Sequence, residues 1–348
     1  MKKASIKDIA KQIGVSATTV SIVLNGQGKE RKISDRIIAE ISKVADQLNY
    51  RPNQFAKGLR TGKTHTLGLI VDDISNFFFG HLARVVEEEA NKLGYTVMFC
   101  SSENNEGKAR NALGSLLEKQ MDGLIIAPTS GMLPEIEKLG KEKKPLVLID
   151  RYFPHVPGSY VTIDNFKGAY DSVAHLVKQG YRSIALVTNE TSQLQLGDRL
   201  EGYTAALTKH KLSFQPRLVK QIPFGSTEQK TIKEIESFVK AHPSIDAILF
   251  TSNNIGIPGL ESLRNLRKQV PADIAIVCFD DNDLFRLASP GITVVSQPIK
   301  AIGKKALDIL LTQIEGKQTG PTHVVLKPNL VVRDSTPGKS WFKTFPVV

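Results

Sequence analysis

The chain has 348 residues, more than the roughly 100–200 of a single domain, so two or more folded units are expected. With 41% hydrophobic and 23% charged residues it has the make-up of a globular protein and not of a disordered one. Of the net charge of +11, residues 1–62 carry +7 (12 Lys and Arg against 5 Asp and Glu), which leaves +4 for the other 286. That asymmetry fits a nucleic-acid-binding head on a nearly neutral body, or a solvated lysine-rich tail. No apolar signal-peptide core follows "MKKASIKDIAKQ" and no uninterrupted apolar run reaches about 18 residues, so a cytoplasmic protein with no membrane contact is expected.

In chain order, "IKDIAKQI" places Ile6, Ile9, Ala10 and Ile13 on one helical stripe, which Gly14 ends. Ser16 is placed to cap a second helix with Val20, Val23 and Leu24 inward, and Ser34 a third with Ile37, Ile41, Val44, Ala45 and Leu48 inward. "YRPNQFAKGLRTGKTHT" follows, where Pro52, Gly58 and Gly62 make a marginal connector. From His65 onward apolar runs alternate with amphipathic stretches: "TLGLIVDD", "YTVMFC", "DGLIIAP", "PLVLID", "SIALVT", "AILFTS", "IAIVCFDD" and "ITVVSQ". Buried apolar strands alternating with helices predict parallel sheets covered on both faces, and about ten strands are too many for one sheet. The expected fold is an all-α helix-turn-helix head plus an α/β body of two doubly wound parallel-sheet subdomains, with a ligand cleft beyond the strands' carboxyl ends. Cys100 and Cys278 lie in separate apolar runs and read as buried free thiols, not a disulfide.

Two short helices about a glycine turn would set the second in a major groove. Ser16, Thr19 and Ser21 then let its backbone approach phosphates and donate hydrogen bonds to them; a merely solvated helix face is the plainer alternative. "GLRTGKT" lacks the first glycine and the preceding strand of a phosphate loop. No nucleophile elbow, metal-spaced His/Cys cluster or dinucleotide fingerprint occurs, so neither catalysis nor a cofactor is expected.

"SIKDIAKQIGVSATTVSIVLNG" and "LNYRPNQFAKGLRTGKT" resemble the start of a lactose-repressor (LacI/GalR) family transcription factor. Further matches in that family's order are "LGLIVDDISNFFFGHLARVVEEEANKLGY", "VTIDNFKGAY", "GDRLEGYTAAL", "ADIAIVCFDD" and "ITVVSQP". The resemblance implies a homodimeric transcriptional regulator, expected to be a repressor, bound to double-stranded pseudo-palindromic operator DNA. Its body would resemble periplasmic sugar-binding proteins and hold a small-molecule effector, a sugar or sugar phosphate. It implies a helix-turn-helix domain over residues 1–50, a hinge helix over 51–63 and an effector and dimerisation domain over 64–348. The last divides into an N-subdomain (about 64–165 and 296–327) and a C-subdomain (about 166–295 and 328–348).

Carried over by position, base reading falls on Ala17, Thr18 and Ile22, and phosphate contact on Ser16, Thr19, Ser21 and Asn25. Leu59 becomes the minor-groove wedge, flanked by Asn53 and Ala56. The effector set becomes Arg199 and Asp280, Asp73, Phe78 and Phe79 after the first body strand, and Arg151, Asp164, Phe224, Asn253 and Gln297. At least one of the three adjacent phenylalanines should be core. An arginine and an aspartate pairing between subdomains is the structural alternative to a ligand-holding Arg199 and Asp280.

Several features depart from the family pattern. Ile22 stands where relatives have polar residues and can offer only apolar contacts, or helix packing. The loop "GQGKERKIS" is longer, with Lys29, Arg31 and Lys32 available to phosphates. Asn253-Asn254 replaces an Asn-Asp pair, Pro258 sits near a helix start, and Cys278 replaces a glycine. A sugar receptor without DNA function is the competing assignment, and the basic head counts against it.

Overall fold

The computed structural model describes residues 4–50, 63–190 and 193–339. They fall into two compact units, Met1–Thr64 and His65–Val348.

The first unit has helices α1 (Ile6–Ile13), α2 (Ala17–Leu24) and α3 (Asp35–Gln47). A reciprocal cap starts α1: Ser5 N–H donates to Asp8 and Asp8 N–H to the Ser5 hydroxyl. Gly14 ends it in the left-handed conformation, φ 77°, with its N–H returned to Ala10. Ser16 caps α2, accepting from Thr19 N–H at 3.0 Å. Ile9, Val20 and Ile41 are fully buried at the centre, with Ala10, Val23, Val44 and Ala45 around them. Two expectations need correction. Ser34 occupies the position before α3, but its hydroxyl makes no cap hydrogen bond although its backbone is as extended as that of Ser16. Leu48 lies past the end of α3 and is exposed.

The second unit runs β1 (Thr66–Val71), α4 (Phe77–Lys92), β2 (Thr96–Ser101), α5 (Glu106–Glu118), β3 (Gly123–Ile126), α6 (Leu133–Lys141), β4 (Leu146–Ile149) and β5 (Ser159–Ile163). It continues with α7 (Asn165–Lys178), β6 (Ile184–Glu190), α8 (Leu194–Lys209), β7 (Val219–Pro223), α9 (Glu228–Ala241), β8 (Ala247–Phe250), α10 (Asn253–Asn265) and β9 (Ala275–Phe279). The last elements are α11 (Asp283–Leu287), β10 (Thr293–Ser296), α12 (Ile299–Ile314), β11 (His323–Leu326) and β12 (Asn329–Val331).

Two six-stranded sheets result, ordered β11-β5-β4-β3-β1-β2 and β12-β10-β9-β8-β6-β7. The first is parallel throughout; in the second, β12 runs antiparallel to β10. Strands β8 and β9 are buried along their whole length, as continuous apolar runs between two helix layers must be. Edge strand β2 is largely exposed. The chain leaves the first sheet after β5, returns to it through α12 and crosses again between β11 and β12, so both sheets present their carboxyl ends to one cleft. Cys100 and Cys278 are free thiols, the second buried and the first only half-buried. No helix among the described residues is long and apolar enough to cross a membrane.

Candidate functional site

In the first unit, α2 turns Val20 and Val23 into the core with Leu24 packed against it, and leaves its Ser, Thr and Ala positions and Ile22 outside the core cluster. Ser16, Ala17, Thr18 and Asn25 are exposed, and Thr19, Ser21 and Ile22 are half-exposed. The Ser16 and Thr19 hydroxyls lie 2.8 Å apart in a mutual hydrogen bond, and the Asn25 amide donates to the Ser21 carbonyl at 2.7 Å. These short side chains are therefore fixed on the helix surface before any partner arrives. Ile22 takes no part in the core cluster. In the following loop Lys29, Arg31 and Lys32 are all exposed. Asn53, Ala56 and Leu59 lie outside the described residues.

In the second unit, a cleft of about 520 Å³ opens beyond the carboxyl ends of the strands. Its walls include Asp73, Phe78, Phe79, Arg151, Arg199, Phe224, Asn253, Asp280 and Gln297. Each is placed by its element: Asp73 follows β1, Arg151 follows β4, Asp280 follows β9 and Gln297 follows β10, while Arg199 projects from α8 and Asn253 opens α10. Asp164 is the exception. It does not line the cleft, because its carboxylate caps α7 by accepting from Lys167 N–H at 2.8 Å.

Arg199 is 3% exposed. It donates from Nε to Asn165 at 2.9 Å and from Nη1 to the Thr251 carbonyl, with its guanidinium 4.0 Å from the Phe279 ring centre. Burial lowers its pKa, an effect that the charges of Asp280 and Asp150 oppose. Asp280 accepts from the Gln297 amide at 2.6 Å and from the Asn253 backbone. Burial pushes its carboxyl up, against the pull of Arg199. Both residues belong to the second sheet's side, so they are not a pair between subdomains. Phe78 and Phe79 pack edge to face, ring centres 4.9 Å apart, and both are nearly buried; Phe77 stacks on His81 instead. Phe224, by contrast, is 42% exposed and offers a ring at the opening.

Residue-type reasoning missed several members of the site. Asp72 and Asp150 flank Arg151, which donates to them at 2.6 and 3.2 Å and to Asn104 at 3.0 Å. Gln193 and Gln195 line the cleft from the second sheet's side, and Gln193 donates across it to Asn104 at 2.6 Å. Asn76 also bridges the cleft. Its amide donates to Asn253 at 2.9 Å and Asn254 at 2.7 Å, while its carbonyl caps α4 through Phe78 N–H. Asp150 had a legible signal, since "LVLID" and "IVCFD" are the same strand-then-aspartate pattern. Gln195 Oε1, Ser226 Oγ and Ser252 Oγ are buried on these walls without a protein partner among the described residues, bonding capacity that a polar ligand would satisfy. A buried arginine, paired carboxylates and amides under aromatic rings can orient a polyhydroxylated molecule, each hydroxyl donating to one group and accepting from another.

Residues 5–53 match the family model for bacterial regulatory proteins of the lacI family, and residues 173–336 match that for a periplasmic binding protein-like domain. The transcriptional regulator DegA of Bacillus subtilis is 31% identical over 96% of this chain and 98% of its own length. A ribose operon repressor from Halalkalibacterium halodurans is 33% identical over 96% of this chain and 97% of its own. The crystal structure of the lac repressor dimer bound to operator shares the fold, with a TM-score of 0.84 at 22% identity over 97% of this chain and all of that one. The chain belongs to the LacI family and is a DNA-binding transcriptional regulator with an effector-binding body.

Proposed function

We propose that this regulator is a sugar-responsive repressor acting as a homodimer on a pseudo-palindromic operator. Helix α2 is its reading element: Ala17, Thr18 and Ile22 meet base edges, and Ser16, Thr19, Ser21 and Asn25 meet phosphates. Residues 51–63 form the hinge, with Leu59 as the minor-groove wedge between Asn53 and Ala56. The effector lies in the cleft against Asp73, Phe78, Phe79, Arg151, Arg199, Phe224, Asn253, Asp280 and Gln297. Asp164 belongs to the framework of α7.

One observation carries the effector assignment: a cleft of about 520 Å³ in which Arg199, Asn253, Asp280 and Gln297 are all buried and polar beside aromatic walls. The volume lies within the roughly 300–1,000 Å³ usual for small-molecule sites. A relative named for the ribose operon supports a sugar. Effector binding changes the balance between cleft conformations, and that change alters the spacing of the paired heads on DNA.

The test is an operator selected from random DNA with the full chain, followed by a mobility shift at several salt concentrations with a panel of sugars and purines. A sugar that alters operator affinity supports the assignment. An operator complex indifferent to sugars and sensitive to a purine overturns it.

A further inference from the structure

Resting on the sugar assignment, we infer that the cleft admits uncharged sugars and excludes phosphorylated ones. Six carboxylates line it, Asp72, Asp73, Glu103, Asp150, Glu228 and Asp280, against two guanidiniums, Arg151 and Arg199. Both guanidiniums are already engaged by the protein. Arg151 is held by Asp72, Asp150 and Asn104. Arg199 is held by Asn165, the Thr251 carbonyl and the Phe279 face. Among the described residues, only Glu103 has an outside counter-charge, Lys108 at 2.6 Å.

The other seat for a phosphate in an α/β cleft is a helix N-terminus. Here α10 starts at the cleft, and the Asp280 carboxylate already takes a hydrogen bond from the Asn253 backbone, occupying that terminus with an anion of the protein's own. The start of α4 is likewise filled, by Asn76 Oδ1 on Phe78 N–H at 2.9 Å. A phosphate entering this cleft would therefore meet repulsion from carboxylates on both walls, which outnumber the lining guanidiniums six to two; the start of α8, where Gln193 makes no side-chain cap, carries a partial charge of roughly half a unit and offsets little of it. Neutral hydroxyls, in contrast, suit an acceptor-rich wall.

Calorimetric titration of the full chain with D-ribose, D-ribose 5-phosphate, D-glucose, D-glucose 6-phosphate and inorganic phosphate tests this. The expected result is saturable binding of a neutral sugar, with its phosphorylated partner weaker by about a hundredfold or more and no heat from inorganic phosphate. A phosphorylated sugar that binds as tightly as its neutral partner, or saturable inorganic phosphate binding, overturns the inference and leaves the sugar assignment intact. No sugar binding in either form, with a purine binding instead, overturns the sugar assignment and this inference with it. Glu228→Gln with Asp73→Asn should narrow the ratio of neutral to phosphorylated affinity by about tenfold; an unchanged ratio removes these carboxylates as its cause.

Discussion

Asp150 and Asp280 occupy the same place in the two halves of the body. Each directly follows the third strand in its sheet's order, β4 in one and β9 in the other, and each holds a left-handed backbone, φ 64° and 69°. Non-glycine residues enter that region at a cost, and such conformations cluster where binding groups must be aimed. The two carboxylates thus face one cleft from opposite walls.

Replacing Asp280 by Asn should weaken effector binding by roughly 10–100-fold, the loss of one hydrogen bond to a charged acceptor, while operator binding without effector persists. The pH dependence follows from burial, which raises the Asp280 pKa above its ordinary 3.8. Lowering the pH protonates an acid with a raised pKa earlier, so effector affinity should fall on acidification from above the ordinary carboxylate range. Asp280→Asn should remove that acid limb. Titration calorimetry across pH checks both, and an unaltered acid limb in the variant would show that another group controls it.

Asn76 serves α4 and the cleft at once, and two substitutions separate the roles. Asn76→Ala loses the cap, costing about 1 kcal/mol of stability, and also the bridge to Asn253 and Asn254. Asn76→Asp keeps a cap acceptor but loses the donors to the two asparagines. Both variants should enlarge the effector-free body in solution scattering, with the thermal loss concentrated in the alanine variant. A body of unchanged dimensions in both would mean the bridge does not hold the cleft.

Gly256 and Cys278 form a small-with-large pair. A Cβ on Gly256 would come within 2.3 Å of the Cys278 sulfur. Gly256→Ala should therefore destabilise by about 1–3 kcal/mol through overpacking. Cys278→Ala should rescue it, with a coupling of roughly 0.5–3 kcal/mol in a urea-unfolding double-mutant cycle. Additive effects would mean the helix moves aside instead.

Ile22 lies outside the head's core, whereas Ile41 is at its centre. Ile22→Arg should leave the head's melting temperature near that of the parent and shift the selected operator sequence toward guanine at the facing base pair. Ile41→Ala should cost about 2–5 kcal/mol and abolish binding through unfolding. An unchanged operator profile for Ile22→Arg would take Ile22 off the list of base readers.

Local pattern alone was enough for the head, because its three helices are amphipathic, start at Ser5, Ser16 and Ser34, and are broken by Gly14. It also sufficed for eight body strands, whose apolar runs are continuous because, the exposed edge strand β2 apart, they lie inside their sheets between helix layers. Strands β5, β7, β11 and β12 escaped notice: β7, β11 and β12 sit at sheet edges, and all four mix polar with apolar residues. The antiparallel direction of β12 depends on where the chain crosses, which no local spacing records. Of the cleft, the end of the first body strand placed Asp73, Phe78 and Phe79, whereas Arg151, Arg199, Asp280 and Gln297 were named through the family resemblance. Tertiary structure alone decided that Asp164 caps a helix instead of facing the cleft. Only there, too, did Asn76 meet Asn253 and Asn254, and Gln193 meet Asn104, because groups up to 178 positions apart in the chain come within hydrogen-bond reach only when both sheets are in place.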